Sequence, residues 1–438
     1  MTRMTETAAI VEKYGRYMIT SCVKRLEPLA LQSGVGARVK DADGNEYIDC
    51  FSGISVVNAG HCNPRVVEAA KHQLDQLIHG CGYVYYIPVV AELAERLSQV
   101  NPWGLHKTFF GNSGAEAVEC ALKVARKFSK KHEFIALMCS FHGRTLASLS
   151  ITGQSGRRGY SMGPYLGDVS FAPAPYCYRC QLGLEYPKCG IQCAKMVEDI
   201  INYSTSACVA TFIAEPILGE GGIIVPPLEY FNEVKKVLDR YGILFVDDEV
   251  QTGFGRTGRM FGLEHYGVRP DIVTMAKGIA DGLPLGACTT TEDIGNAFEP
   301  GDHLSTFGGN PVSCAAAIAN IDFLVEERIP EEAEKKGRYV MQKLEEMKRS
   351  TPLIGEVRGR GLMIGIELVR NRDTKEPAAE EAASIRDACR KRRVLVGHGG
   401  VKGNVVRLQP PLVTSTEQLD QAIAVLSESL EGAERKRS

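Results

Sequence analysis

At 438 residues the chain is too long for one simple hydrophobic core, so a two-domain organisation is expected. A composition of 44% hydrophobic and 24% charged residues fits a soluble globular protein, and a net charge of −2 with interspersed acids and bases excludes the basic footprint of a nucleic-acid or anionic-membrane binder. No apolar run approaches the roughly 20 residues that span a bilayer, and Met1-Thr-Arg-Met-Thr-Glu-Thr-Ala has no stretch of signal-peptide character, so a cytoplasmic protein is expected.

Residues 36–50 alternate polar and apolar around Asp43-Gly44, which predicts a hairpin. From about residue 64, helical patterns alternate with short apolar runs. Val66 to Ile78 and Val89 to Val100 carry helical spacing, Thr108-Phe-Phe reads as a strand, and Ala115 to Lys130 as a helix. Strands are expected at Phe134 to Met138 and Ala210 to Ala214, a helix at Glu229 to Tyr241, and strands at Gly242 to Val246 and Asp271 to Ala276. This alternation predicts an α/β architecture with a mainly parallel sheet covered on both faces. Residues 312–348 read as largely helical. An α+β tail follows, with strands at Leu362 to Val369, Val394 to Val396 and Asn404 to Leu408, and helices near Glu380 to Arg392 and from Thr416. A domain change is placed near residue 325.

Fourteen cysteines are many for a cytoplasmic chain. Cys120, Cys208 and Cys314 lie in apolar surroundings, where a thiol packs as a small hydrophobe. Cys177, Cys180, Cys189 and Cys193 cluster within a loop-rich insertion at 175–195. Their spacing suits a zinc site, a pair of disulfides or free thiols.

Chemistry-bearing residues gather where apolar runs end. Phe109-Phe-Gly-Asn-Ser-Gly-Ala-Glu passes from a strand through a glycine-bearing turn into a helix; Ser113 and Gly114 there either cap the helix or hold a phosphate. In Phe141-His-Gly-Arg-Thr, Phe141 either packs in the core or stacks on a ring, and Arg144 either makes a surface ion pair or takes a carboxylate. Glu215-Pro-Ile-Leu-Gly-Glu-Gly-Gly ends another strand; Glu220, among glycines, can reach an arginine and release it. Arg407, inside a short apolar strand, needs a partner or receives a substrate carboxylate. Thr306, before a helix, is placed to offer a hydroxyl to a phosphate. Asp248 and Lys277 each follow a buried-strand pattern. A lysine to form a Schiff base and an acid to keep a pyridine nitrogen protonated are the two groups that pyridoxal phosphate requires.

Taken together, Asn-Ser-Gly-Ala-Glu-Ala, Phe-His-Gly-Arg-Thr, Asp-Glu-Val-Gln-Thr-Gly-Phe-Gly-Arg-Thr-Gly, Ala-Lys-Gly and Thr-Phe-Gly-Gly-Asn-Pro resemble the class III pyridoxal-phosphate aminotransferases, the group of 4-aminobutyrate, ornithine and acetylornithine aminotransferases. The resemblance runs from the Asp43-Gly44 hairpin to Arg407. It implies fold type I, with a large cofactor-binding domain at 61–325 built on a seven-stranded sheet, and a small domain formed by 326–438 together with the segment 1–60. It implies that Lys277 bonds the cofactor and then carries a proton at the reacting carbon, that Asp248 pairs with the ring nitrogen, and that Gln251 bonds the ring's phenolic oxygen. Phe141 would stack on the ring, Ser113 and Gly114 would hold the phosphate, and His142 and Glu215 would complete the cofactor site. Thr306 would reach the phosphate of the partner subunit, which implies a homodimer.

The resemblance further implies that Arg407 binds the α-carboxylate of an α-amino or 2-oxo acid, with Glu220 masking it when an ω-amine enters. Arg144 would take a distal carboxylate. Ile54 stands where ornithine aminotransferases resemble one another in having tyrosine, which disfavours a dedicated ornithine enzyme. Leu218 replaces a glutamine frequent in the 4-aminobutyrate pattern. Thr-Phe-Gly-Gly-Asn-Pro and Leu395-Val-Gly-His-Gly look like the alanine–glyoxylate branch, which tends to lack the Glu220 gate. The expected activity is amino transfer from an ω-amino acid or amine to a 2-oxo acid such as 2-oxoglutarate or pyruvate. The alternatives are an amino-acid racemase of the same fold, or an alanine–glyoxylate or ornithine aminotransferase.

Overall fold

A computed structural model describes residues 5–20, 26–159 and 161–435. Met1 to Met4, on which the expectation of no leader partly rests, lie outside the described residues, as do parts of the ranges 1–60 and 326–438. Among the described residues no helix is long and apolar enough to cross a membrane.

The strands in chain order are β1 (Leu31–Val35), β2 (Arg38–Asp41), β3 (Glu46–Cys50), β4 (Lys107–Gly111), β5 (Glu133–Leu137), β6 (Val169–Ala172), β7 (Val209–Ala214) and β8 (Leu244–Asp248). They continue with β9 (Ile272–Met275), β10 (Gly286–Thr290), β11 (Ile354–Arg360), β12 (Met363–Asn371), β13 (Glu376–Pro377), β14 (Val394–Gly399) and β15 (Val405–Leu408). Seven of them form one sheet in the order β4-β10-β9-β8-β7-β5-β6. From β9 to β6 every pair is parallel, while β10 runs antiparallel to both neighbours. Every residue of β5, β7, β9 and β10 is buried. Burial on both faces is why these runs show no polar alternation.

β10 escapes sequence reading because Gly-Ala-Cys-Thr-Thr is small and mixed rather than apolar. It lies under the Gly114–Ser129 helix, whose buried face includes Ala117, Cys120, Ala121 and Val124. The small side chains let helix and sheet approach closely.

The second sheet takes strands from both ends of the chain in the order β1-β2-β3-β14-β15-β12-β11, with β13 pairing β12. The Asp43-Gly44 turn joins β2 to β3, with Gly44 at φ +83° and the Asp41 carboxylate accepting from Asn45 N–H and Tyr47 Oη–H. The stretch expected to be helical from 312 to 348 is two helices, Pro311–Glu326 and Ile329–Ser350. Arg328 at φ +51° breaks the run, and Pro330 then starts the second helix where its missing N–H is harmless.

Two close contacts tie the second sheet to its surroundings. Arg256 is fully buried; Nη1 donates to the carbonyls of Leu362 (3.1 Å) and Pro410 (2.5 Å), and Nη2 donates to Asn58 Oδ1 (2.6 Å). Burial pulls its pKa down to about 9. The second is the close approach of the Ile329–Ser350 helix to the turn before β12. A Cβ on Gly337 would meet Gly361 O at 2.1 Å. Gly337→Ala is therefore expected to cost about 1–3 kcal/mol in denaturant unfolding by overpacking against rigid backbone. Gly15→Ala, on an exposed helix with nothing within 4 Å, should be neutral or slightly stabilising.

Candidate active site

The parallel strands end on one edge, and the polar residues just past their last apolar positions surround a cavity of about 340 Å³. Crevices beyond the carboxyl ends of such strands are the usual ligand sites of open α/β sheets. Asp248 closes β8, and Lys277 follows β9 by way of Ala276; the two strands are parallel with Asp248 opposite Thr274. Both residues line the cavity. Lys277 sits at φ +49°, unusual for a side-chain-bearing residue, and opens a single 3₁₀ turn.

The Asp248 carboxylate is buried and fully engaged on its protein side. His142 Nδ1 lies 2.6 Å from Oδ2, while Oδ1 accepts from Val250 N–H (3.1 Å) and Thr274 Oγ1–H (3.2 Å). His142 Nε2 is buried without a hydrogen-bond partner. Burial pulls the Lys277 amine below the usual lysine range, against the opposing influence of Glu220, Glu215 and Asp248.

On the opposite wall, Ser113 caps the Gly114–Ser129 helix, its Oγ accepting from Glu116 N–H at 3.2 Å. The helix start faces the cavity, and a Cβ on Gly114 would meet Val250 Cγ1 at 2.8 Å, so only glycine leaves that backbone approachable. Phe141, half-buried, forms another wall. Glu215 lines the cavity but spends its oxygens on structure: it accepts from Phe141 N–H (2.9 Å) and Gly219 N–H (2.8 Å), tying the loop after β5 to the one after β7. Burial pushes its carboxyl up to about 7 despite those donors. Gln251 Oε1 accepts from Gln409 Nε2–H at 2.9 Å, which leaves the Gln251 amide N–H groups for the cavity. Gln409 was not apparent in the sequence, because nothing in Leu-Gln-Pro-Pro marks it.

Glu220 and Arg407 form a buried ion pair, Oε1 to Nη1 at 2.6 Å. Arg407 is 3% exposed, its guanidinium lies over the Phe51 ring, and its Nε has no partner. Arg157 Nη2 donates to the other Glu220 oxygen at 3.1 Å, a contact that sequence reading missed. Burial pushes the Glu220 carboxyl up, but Arg407, Lys277 and Arg157 overcome it and hold it at about 2.

Five predicted site residues stand apart from the cavity wall: the Glu220–Arg407 pair, and Ile54, Arg144 and Thr306. Ile54 is exposed in a turn where Ser52 to Ser55 all have positive φ, and Val56 lines the cavity instead. Arg144 is exposed, its guanidinium 5.4 Å from the Phe141 ring centre. Thr306 is exposed in a separate cleft with His303 and Phe307, next to Asn112, which borders both spaces. Cys177, Cys180, Cys189 and Cys193 line one small pocket as free thiols, and no described group of three or more ligating side chains is arranged for a metal. Burial pushes Cys177 up to about 11 and Cys193 to about 12. The insertion docks through Tyr176 Oη–H and Arg179 Nε–H, both donating to Glu367 on β12.

The sequence model of the class III aminotransferase family matches residues 21–430. The chain is 41% identical to an acetylornithine aminotransferase of Methanothermobacter thermautotrophicus, over 96% of this chain and 98% of that one. It is 38% identical to a leucine/methionine racemase of Thermococcus litoralis, over 98% and 96% respectively. An amine transaminase from an uncultivated Pseudomonas species, solved with pyridoxal phosphate bound, superimposes with a TM-score of 0.89 at 33% identity, over 95% of this chain and 98% of that one. The chain belongs to the class III aminotransferases, pyridoxal-phosphate enzymes of fold type I. The cavity fits that cofactor: it offers an amine, a buried carboxylate with an unpartnered imidazole nitrogen behind it, and a glycine cradle at a helix start.

Replacing Glu220 by Gln strips a buried arginine of its counter-charge, and the variant is expected to lose about 3 kcal/mol in urea unfolding at neutral pH. Because the folded carboxyl sits near 2, below its ordinary 4.5, the wild-type advantage is full above about pH 5 and shrinks as the pH falls toward 2.

Proposed function

We propose that this class III aminotransferase takes the amino group of an ω-amino acid or amine and delivers it to a 2-oxo acid such as 2-oxoglutarate or pyruvate, acting in the cytoplasm as a homodimer. The observation that carries the reading is the buried Glu220–Arg407 pair close to Lys277. A bare arginine there would be an unpaired buried charge for any donor lacking a carboxylate on its reacting carbon. Glu220 removes that cost and can yield to an acceptor's carboxylate. Similarity to acetylornithine aminotransferase supports the donor class.

When bound, pyridoxal phosphate supplies an aldehyde carbon to capture amines and a protonated ring to draw electrons from the reacting carbon. Lys277 would hold the cofactor covalently. Displaced as a free amine, with burial favouring its neutral form, its Nζ removes and returns the proton at the substrate carbon bearing nitrogen. Asp248, fixed by His142, Thr274 and Val250, presents a carboxylate to the ring nitrogen. Gln251, with its oxygen held by Gln409, presents N–H to the phenolic oxygen. Ser113 and Gly114 would hold the phosphate and Phe141 would cover the ring, while Glu215 braces the loops that carry Phe141 and Glu220. Thr306, exposed outside its own cavity, serves the partner subunit's phosphate. Arg144 and Ile54, exposed and off the cavity wall, would select among substrates.

Transamination is favoured over racemisation because racemisation needs a second acid or base facing Lys277 across the reacting carbon. Among the described residues near Lys277, the other acids and bases are His142, Glu215, Asp248 and Glu220; Glu215, Asp248 and Glu220 are held by protein partners, and His142 is tied to Asp248 through Nδ1.

Three results test this. Cofactor-loaded protein should absorb visible light, and borohydride should fix the cofactor to Lys277. Lys277→Ala should abolish the fixation and lower turnover by about 10⁴-fold; label on another lysine would overturn the assignment. Arg407→Ala should slow the half-reaction with 2-oxoglutarate by about 100-fold while that with 4-aminobutyrate changes little; equal losses would contradict the masked-arginine reading. One enantiomer of alanine should keep its optical rotation when no oxo acid is present, whereas its decay would favour the racemase.

A further inference from the structure

The Glu220–Arg407 pair explains how the carboxylate site is closed, but not where the glutamate goes when it opens. Glu220 is only 11% exposed on its side chain, so leaving Arg407 without a new partner would strand a carboxylate away from water. The surrounding backbone cannot carry it elsewhere. A Cβ on Gly219 would meet Gln251 Oε1 at 2.2 Å, one on Gly221 would meet Cys139 O at 2.7 Å, and Gly222 O accepts from Arg358 Nε–H (3.1 Å) and Nη2–H (2.6 Å). The turn is therefore pinned on both sides of Glu220, and what remains free to move is its side chain.

Arg157 stands at the end of that motion. It already donates to Oε2 while Arg407 holds Oε1, and at 31% side-chain exposure it lies toward solvent while Arg407, at 3%, lies inward. Its position is fixed against the same loop that the turn packs on: Gln154 Nε2–H donates to Cys139 O at 3.0 Å, and Arg157 N–H donates to Gln154 O at 3.0 Å. Arg158 is turned away, over the Phe171 ring at 4.8 Å. The basic groups facing Glu220 are therefore Arg407, Arg157 and, more distantly, Lys277.

We propose that Arg157 is the positioning residue that keeps Glu220 when Arg407 is surrendered to a substrate carboxylate, and so sets how readily the enzyme accepts an α-amino or 2-oxo acid. In the closed site Glu220 bridges two arginines; in the open site Arg157 holds it alone. Losing Arg157 removes one of two contacts from the closed form but the only contact from the open form, so the open form suffers more. The inference rests on the masked-arginine reading given above.

The test uses cofactor-loaded wild type, Arg157→Gln, Arg157→Lys and Arg407→Ala. Binding of glutarate, a dicarboxylate with no group to react, is measured by calorimetry, and single half-reactions with 2-oxoglutarate and with 4-aminobutyrate are followed by absorbance. Arg157→Gln should weaken glutarate and raise the KM for 2-oxoglutarate by about tenfold, the loss of one charge-assisted hydrogen bond. The limiting rate with 2-oxoglutarate and the half-reaction with 4-aminobutyrate should stay within about twofold, and Arg157→Lys should recover most of the loss. Unchanged or tighter glutarate binding in Arg157→Gln, or equal losses with both substrates, would overturn the proposal. If Arg407→Ala is selective while Arg157→Gln is silent, Arg157 alone is wrong. If Arg407→Ala is not selective either, the masked-arginine reading itself fails.

Discussion

Polar side chains at the carboxyl ends of fully buried parallel strands have little water to satisfy them, so those around the cavity are paired within the protein or turned toward it. That constraint organises the site. Glu215 is used up by two backbone N–H groups, Asp248 is backed by His142, Gln251 by Gln409, and Glu220 by two arginines. What these pairings leave facing the cavity is small and chemically specific: the Lys277 amine, one side of the Asp248 carboxylate, the Gln251 amide and a helix start. The supporting pairs hold these groups in place before any ligand arrives.

Much of this was legible in the sequence because buried parallel strands write themselves as short uninterrupted apolar runs. Gly242 to Val246 and Asp271 to Ala276 located β8 and β9 to within two residues, and with them Asp248 and Lys277. The Phe-Phe-Gly-Asn-Ser-Gly turn was legible for a similar reason, since a glycine at a strand-to-helix junction marks close backbone approach. The motifs also fixed the family, and the family carried the cofactor.

The parts that were not legible share a physical cause: their function depends on a partner far away in the chain. Gln409 orients Gln251 across 158 residues. Arg157 reaches Glu220 from a four-residue helix, and nothing about Gly-Arg-Arg in isolation separates it from a solvated pair of charges. β10 was hidden because a strand beneath a closely packed helix needs small residues rather than large apolar ones. The largely helical stretch expected over 312–348 is divided by one left-handed residue, Arg328, a backbone choice that periodicity does not report. Thr306, Arg144 and Ile54 were legible as motif positions, yet they are exposed and lie off the cavity wall. The cysteine-rich insertion is joined to the second sheet by Glu367, and its thiols take no part in that joint.

A single buried carboxylate, Glu220, is shared by two arginines, Arg407 inward and Arg157 toward solvent. The most direct measurement is a crystal structure of the cofactor-loaded enzyme with glutarate bound. The account predicts one glutarate carboxylate on the Arg407 guanidinium and the Glu220 side chain rotated onto Arg157, with the Gly219 to Gly222 backbone unmoved. Glutarate bound elsewhere while Glu220 stays on Arg407 would contradict it.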